Sequence, residues 1–229
     1  MKKPLIAALL LALCGGAAAA PQVSGDGACG TLAVDNESFL TCTDGRAPIP
    51  LDGEGDPALS GHAGVLPISA RQAWKVKRDM GSRALLVDIR GRAEVFYTGM
   101  PLGADANVPF TEPAPDFAVD ANTGQPRMAM NARFLDRIEE LVASAGLGRG
   151  DPVILLCRSG ERSPVAARLM RGRGYLQVFA VTDGFEGPLA ANAHGTFTRH
   201  EQGWKNAGLP WTARVDPGWL DAARSATVR

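Results

Sequence analysis

The sequence lacks several features that point to particular classes of partner. It has no excess of either charge, with 24 basic and 24 acidic side chains, and no basic run long enough to make a nucleic-acid-binding surface. It also lacks a long apolar run, because residues 5–13 are too few to span a membrane comfortably. We therefore expect no nucleic-acid partner and no transmembrane anchor. Of its 229 residues 45% are hydrophobic, which is enough for the core of one domain.

The N-terminus has the pattern of a bacterial secretory signal. Two lysines are followed by the apolar residues 5–13 and then by small residues up to Ala20. We predict a signal peptide over residues 1–19 and a mature protein in the periplasm. The alternative is lipidation of Cys14, which the bulky Leu13 before it disfavours.

Export changes the expected state of the cysteines, because an oxidising compartment permits disulfides. Cys14 leaves with the signal, so that Cys29, Cys42 and Cys157 remain. Cys29 and Cys42 lie close together in a glycine-rich, loop-like segment, residues 20–64, and we predict a disulfide between them. The open alternative is that one of them pairs with Cys157, which would remove a free thiol.

Short apolar runs alternate with helical patterns between residues 65 and 212. This alternation predicts an α/β fold with a mainly parallel central sheet flanked by helices. Helices are predicted over residues 69–80, 92–97, 131–145 and 164–171, and strands over residues 84–90, 106–108, 153–156 and 178–181. Residues 112–127 are rich in proline and turn formers and are predicted to be an insertion or long loop. Residues 213–229 are predicted to be an exposed tail, and Trp204 and Trp211 to pack on the domain.

One stretch carries the chemistry: Cys157-Arg158-Ser159-Gly160-Glu161-Arg162-Ser163. An apolar strand ends at Cys157, and a helix is predicted to begin with Ser163 as its N-cap and Pro164 at its first position. Backbone N–H groups after the cysteine can curl around its sulfur, and the helix N-terminus points at the same spot. Such a pocket binds anions and favours the thiolate over the thiol.

A thiolate in such a loop is suited to sulfur transfer. It can attack the outer sulfur of thiosulfate or a similar small anion, form a persulfide, and pass the sulfur to a thiol or to cyanide. The loop amides with Arg158 or Arg162 would hold the donor anion. An ionised cysteine needs no separate base, and none of the three histidines lies near the loop in sequence. We expect neither a metal nor a cofactor.

The loop and its surroundings resemble the rhodanese (thiosulfate sulfurtransferase) family. Residues 157–163 are similar to its active-site loop, residues 86–90 with Glu94 to its first strand and the segment after it, and residues 203–211 to its tryptophan-containing end. The resemblance covers residues 67–211.

This resemblance implies a rhodanese-like three-layer fold over residues 65–212 and Cys157 as the persulfide carrier. It implies supporting roles for Asp88 and Arg90 and a substrate-binding loop made of Arg158, Ser159, Gly160, Glu161, Arg162 and Ser163. The family's sulfurtransferases have a Cys-x4-Arg loop, as here, whereas related phosphatases have one more residue, which better fits a tetrahedral phosphate.

The sequence also departs from the family pattern. Met100 stands where the family usually has histidine, and Glu161 lowers the positive charge of the loop. Residues 112–127 and 190–201 are longer than a minimal domain needs, and they could shape a substrate pocket or dock a partner. Two other functions therefore stay open: a non-catalytic module that binds a periplasmic protein, and, less favoured, a phosphatase or arsenate-reductase-like enzyme.

Thiol counting tests the predicted state of the cysteines. The exported mature protein should show one reactive thiol without reductant, from Cys157, and three with reductant, because Cys29 and Cys42 form the disulfide. The measurement is thiol titration of the unfolded protein with and without reductant. If Cys157 instead pairs with Cys29 or Cys42, one thiol is still counted, but it lies on the remaining cysteine. Alkylation before reduction, followed by peptide mass mapping, locates the free thiol, and a label on Cys29 or Cys42 in place of Cys157 would contradict the prediction.

Overall fold

The computed structural model describes residues 29–34, 37–42, 49–51, 65–122 and 124–220. The predicted signal peptide lies outside the described residues, as does most of the loop-like segment after it. Within that segment three strands form an antiparallel sheet in the order β1–β2–β3, namely β1 (Cys29–Val34), β2 (Glu37–Cys42) and β3 (Ile49–Leu51).

The register of β1 on β2 places Cys29 opposite Cys42. Residues directly opposed in antiparallel strands have Cα atoms about 4.5 to 5.5 Å apart, within the range that a disulfide requires. The backbone is therefore compatible with the predicted disulfide, which stays a prediction.

A five-stranded sheet forms the centre of the domain, in the order β4–β11–β10–β5–β7, with every neighbouring pair parallel. This confirms the predicted α/β fold. Side chains alternate along the middle strand, so that Leu155 joins one hydrophobic cluster and Ile154 the other. Burial on both faces explains the unbroken apolar runs in the sequence. The strands are β4 (Val65–Ile68), β5 (Leu85–Asp88), β7 (Ala106–Asn107), β10 (Val153–Leu156) and β11 (Val178–Val181).

Helices cover both faces of this sheet and give three layers. Buried side chains of α3 and α4 pack on one face, and those of α1 and α2 pack with Trp204 on the other. Ser69 caps α1, because its Oγ accepts the Gln72 N–H while the Gln72 side chain accepts the Ser69 N–H. The helices are α1 (Ala70–Met80), α2 (Arg92–Thr98), α3 (Phe134–Ser144) and α4 (Arg162–Gly172), with a 3-10 turn at Gly81–Arg83.

The structure adds detail to one of the sequence predictions and corrects another. Residues 114–127 of the predicted insertion or long loop connect the two strands of an antiparallel hairpin, β8 (Thr111–Pro113) and β9 (Met128–Met130). The exposed-tail prediction is wrong for the described part, up to Leu220. Trp219 packs against the core, and its carbonyl accepts the Asn107 N–H at 2.6 Å.

The described residues also form two more short antiparallel strand pairs. The strands β6 (Met100–Pro101) and β14 (Trp211–Thr212) join the segment after α2 to the end of the domain. The strands β12 (Ala190–Ala191) and β13 (Phe197–Thr198) form a small hairpin within the second long segment.

A buried ion pair fixes the end of β5 to α2. The Arg90 Nε donates to Asp88 Oδ1 over 2.9 Å, and both side chains have no exposed surface. The other guanidinium nitrogens donate to the Thr98 hydroxyl and the Gly99 carbonyl, at the C-terminus of α2. Asn107 completes the arrangement by donating to the carbonyls of Asp88 and Arg90. The pair therefore sets where α2 stands at the carboxyl edge of the sheet.

We expect Arg90→Met to lower the free energy of unfolding by about 3 to 5 kcal/mol, because it leaves the Asp88 carboxylate buried and unpaired. Chemical denaturation measures this loss. The control is Arg133→Gln, which removes an ion pair to Glu140 whose side chains are 68% and 49% exposed. It should change the free energy of unfolding by no more than about 0.5 kcal/mol. Equal losses in the two variants would contradict the structural role of the buried pair.

Candidate functional site

Cys157 follows β10 directly and lies at the carboxyl end of the middle strand. Its side chain is fully buried, and the backbone N–H of Gly160 donates to its Sγ over 3.2 Å. This donor stabilises negative charge on the sulfur. We call residues 157–162 the cysteine loop.

Gly160 allows the cysteine loop to close over the sulfur. Its φ is +93°, and an added Cβ would lie 1.5 Å from the carbonyl oxygen of Thr182. That conformation favours glycine, and the contact leaves no room for a side chain. Thr182 follows β11, so the cysteine loop rests on the backbone of the neighbouring strand's end.

The segment after β11 holds the cysteine loop from the same side. The Phe185 N–H donates to the Cys157 carbonyl over 2.8 Å, and the Glu186 N–H donates to the Arg158 carbonyl over 2.9 Å. Trp204 is fully buried, and its backbone N–H donates to the Gly184 carbonyl of this segment. The predicted packing role of Trp204 is confirmed, because it supports the segment on which the loop rests.

Arg162 ends the cysteine loop and forms a two-pronged ion pair with Glu94 of α2. Its Nη1 and Nη2 each donate to one carboxylate oxygen over 2.7 Å, and the Gly91 N–H donates to the same carboxylate. Burial by itself would raise the pKa of Glu94, but the hydrogen bonds and charge of Arg162 outweigh it and hold that pKa below its ordinary value of 4.5. Burial likewise opposes the charge of Arg162, and Glu94 outweighs it, so that the Arg162 pKa is raised.

The remaining charged residues of the cysteine loop differ in their partners. The Arg158 Nε donates to Glu186 over 2.6 Å, which ties this side chain to the segment after β11. Ser159 is half-buried at the surface of the loop, and Glu161 is exposed. Among the described residues, the Glu161 carboxylate has no hydrogen-bond or ion-pair partner.

The prediction that Ser163 is an N-cap is wrong. Glu161 already has helical backbone angles, φ −73° and ψ −39°, so α4 begins at Arg162 and Ser163 lies inside its first turn. Pro164 is accordingly the third helical residue, where a missing N–H is still tolerated because the first four N–H groups have no intrahelical acceptor. The Ser163 hydroxyl is buried and has no hydrogen-bond partner in the part of the chain that the structure describes.

A cavity of about 630 Å³ lies over the cysteine loop. The loop supplies Arg158, Ser159, Glu161 and Arg162 to its lining, and α2 supplies Arg92, Ala93 and Glu94. The hairpin of β8 and β9 adds apolar side chains, among them Phe117 and Met128, and the second long segment adds Arg199. From the sequence, residues 112–127 and 190–201 are expected to shape a pocket or dock a partner. The sequence does not single out Phe117, Met128 or Arg199. No local motif distinguishes them.

The described residues contain no group of three or more histidine, cysteine or acidic side chains that could hold a metal ion. Over the same residues, no helix combines the length and the apolar character needed to cross a bilayer.

The fold and the loop together define a class: a parallel α/β domain with a cysteine at the end of its middle strand and a Cys-x4-Arg loop leading into a helix. A model of the Rhodanese-like domain matches residues 72–191. The chain belongs to the rhodanese-like family.

The chain is also similar to individual proteins. An uncharacterised Rickettsia conorii protein, RC0915, is 37% identical over 128 residues, which are 56% of this chain and 82% of the relative. The crystal structure of Rv0390 from M. tuberculosis is 32% identical, covering 66% of this chain and 98% of that one with a TM-score of 0.46. A polysulfide-sulfur transferase from Wolinella succinogenes is 19% identical, covering 66% and 80% with a TM-score of 0.38.

We expect the Glu94–Arg162 pair to stabilise the protein only while Glu94 is ionised. Because the folded pKa of Glu94 is lowered, its contribution is present above the ordinary value of 4.5 and is lost as the pH falls through the folded pKa. Glu94→Gln should therefore lower the melting temperature at pH 7, with a difference from the unaltered protein that shrinks below pH 4.5. Thermal unfolding between neutral and acid pH measures this difference.

The control for this experiment is Glu140→Gln, which changes an exposed carboxylate on α3. It should leave the melting temperature nearly unchanged across the same pH range. A loss in Glu94→Gln that is equally large at every pH would indicate lost packing instead of a lost charge pair.

Proposed function

We propose that this protein is an exported sulfurtransferase that carries a sulfane sulfur on Cys157. The observation that carries the proposal is the position of the Cys157 sulfur, at the end of the middle strand with a loop N–H directed at it over 3.2 Å. A donor of this kind favours negative charge on the sulfur and on a persulfide attached to it. Membership of the rhodanese-like family supports the same chemistry.

The reaction has two balanced steps. The Cys157 thiolate attacks the outer sulfur of a donor such as thiosulfate, so that a new S–S bond forms to Sγ while the donor's S–S bond breaks and its electron pair leaves on sulfite. A thiol or cyanide then attacks the terminal sulfur of the persulfide, and the Cys157 thiolate leaves with the electron pair. The sulfur moves without net oxidation, so the cycle needs no external oxidant.

The arginines of the cysteine loop act in this proposal by holding the loop in shape. Arg162 is held by Glu94 through both prongs, and Arg158 is held by Glu186. The charge on the donor and on the persulfide is then met mainly by the backbone amides of the loop, with the paired guanidinium groups nearby.

The predicted site of action is the periplasm, which rests on the signal-like pattern of residues 1–19. The register that sets Cys29 opposite Cys42 supports the proposed disulfide, which would leave Cys157 free to react. We accordingly place both the thiol chemistry and the disulfide in the same mature protein.

A second candidate function is a non-catalytic module that binds a partner protein. It is favoured by the complete burial of the Cys157 side chain, which a donor must reach for transfer to occur. This candidate requires complexes that do not depend on the sulfur.

Intact-mass spectrometry tests the proposed transfer. After incubation with thiosulfate, a persulfide or mercaptopyruvate, the protein should gain the mass of one sulfur atom, and added cyanide or thiol should remove it. Cys157→Ser should gain nothing while keeping its melting temperature. If none of the three donors adds sulfur to the unaltered protein, the proposal is refuted. Partner complexes that survive Cys157→Ser would then favour the binding module.

A further inference from the structure

Two of the charged groups that line the cavity over the cysteine loop, one of each sign, have no ionic partner among the described residues. Four guanidinium groups and three carboxylates line this cavity: Arg92, Arg158, Arg162 and Arg199, with Glu94, Glu112 and Glu161. Most of them are already used in ion pairs. Arg92 pairs with Glu112, Arg162 with Glu94, and Arg158 with Glu186 outside the lining.

Glu161 is the lining carboxylate that has no ionic partner among the described residues. It lies between the two arginines of the cysteine loop, yet both of these are directed to other carboxylates. Its own side chain is exposed to the cavity. A carboxylate on the wall of this cavity that no described cation neutralises repels a small dianion such as thiosulfate and attracts a cationic group.

Arg199 is the lining guanidinium that has no ionic partner among the described residues. Its Nη1 donates to the carbonyl of Gly187, a neutral acceptor, and among the described residues no carboxylate pairs with it. It comes from the segment after β13, on a part of the lining separate in sequence from the loop. An unpaired guanidinium on the cavity wall is suited to bind a carboxylate.

The cavity also has room and apolar surface for an organic group. Its volume of about 630 Å³ is within the range of small-molecule sites and exceeds what an inorganic anion of a few atoms would fill. Phe117 and Met128 of the hairpin supply an apolar wall. Both side chains are more than half exposed, at 78% and 51%, so they are available for contact with a ligand.

We infer that the sulfur donor is an organic persulfide, R–S–SH, in which R carries both an ammonium and a carboxylate, as an α-amino acid does. Glu161 binds the ammonium, Arg199 binds the carboxylate, and the sulfane sulfur faces the cysteine loop. This inference rests on the proposed sulfur transfer and names its substrate class.

The transfer from such a donor is balanced. The Cys157 thiolate attacks the outer sulfur of R–S–SH, a bond forms between Sγ and that sulfur, and the R–S–S bond breaks. The electron pair leaves on R–S⁻, the proton stays on the transferred sulfur, and the enzyme holds Cys157–S–SH. No group is oxidised or reduced overall.

The test compares three donors that differ in one charge each. Cysteine persulfide has both groups, cysteamine persulfide lacks the carboxylate, and 3-mercaptopropionate persulfide lacks the ammonium. The second-order rate constant for adding sulfur to Cys157 is measured by intact mass for the unaltered full chain, Glu161→Gln and Arg199→Gln. Glu140→Gln and Arg168→Gln, which change charges outside the cavity lining, are the matched controls.

Each variant should affect only the donors that carry the matching group. Glu161→Gln should slow transfer from the two ammonium-bearing donors by about three- to tenfold and not from 3-mercaptopropionate persulfide. Arg199→Gln should slow transfer from the two carboxylate-bearing donors by a similar factor and not from cysteamine persulfide. The controls should leave all three rate constants unchanged. The inference is overturned if the unaltered protein accepts sulfur from all three donors at equal rates, or if both variants slow all three donors by the same factor. Either result leaves the proposed function intact.

A binding experiment separates the inferred ligand class from the proposed sulfur transfer. S-methylcysteine has both charged groups but cannot donate sulfur, and its affinity for Cys157→Ser is measured by calorimetry. Binding that weakens when Glu161→Gln or Arg199→Gln is added supports the ligand class, even if no donor sulfurates Cys157 and the proposed transfer fails. If S-methylcysteine does not bind and no persulfide transfers, both proposals are overturned.

Discussion

The two-pronged ion pair between Arg162 and Glu94 is the contact through which the sheet positions the cysteine loop. Glu94 is carried by α2, whose C-terminus is fixed by the buried Asp88–Arg90 pair at the end of β5. Arg162 is both the last residue of the loop and the first of α4. A chain of polar contacts therefore runs from the end of β5, through α2, to the cysteine loop at the end of the neighbouring strand β10. Because each charge on this path has a partner, burial of the path is tolerated.

The ion pairs of Arg158 and Arg162 determine which groups of the cysteine loop are left to contact negative charge. The sequence offers two arginines beside a cysteine, which favours a site that grips an anion with guanidinium groups. In the structure both guanidinium groups are held by Glu94 and Glu186, and the donor seen at the sulfur is a backbone N–H from Gly160. The charged side chains of the loop therefore hold its shape, while the observed contact to the sulfur comes from the backbone.

The parts of the chain that exceed a minimal domain gather at the same cavity. The β8–β9 hairpin supplies its apolar wall, and the segment after β13 supplies Arg199. The family fold provides Cys157 and the loop around it, while these two segments set the size, polarity and charge of the cavity over that loop. Functional differences within one fold commonly arise in this way, through loops around a fixed site.

The sequence by itself determined the helices α1 to α4, four of the five strands of the central sheet, and the cysteine with its Cys-x4-Arg loop, because apolar periodicity is a property of neighbouring residues. It missed the edge strand β4, which is only four residues long. It could not determine that Glu94 meets Arg162, 68 positions away, or that Phe117 and Arg199 face the same cavity as Glu161. It also misplaced the start of α4, because Glu161 takes helical angles in a loop held by the segment after β11. Those features depend on which distant segments the sheet brings together, and only the tertiary structure decides that.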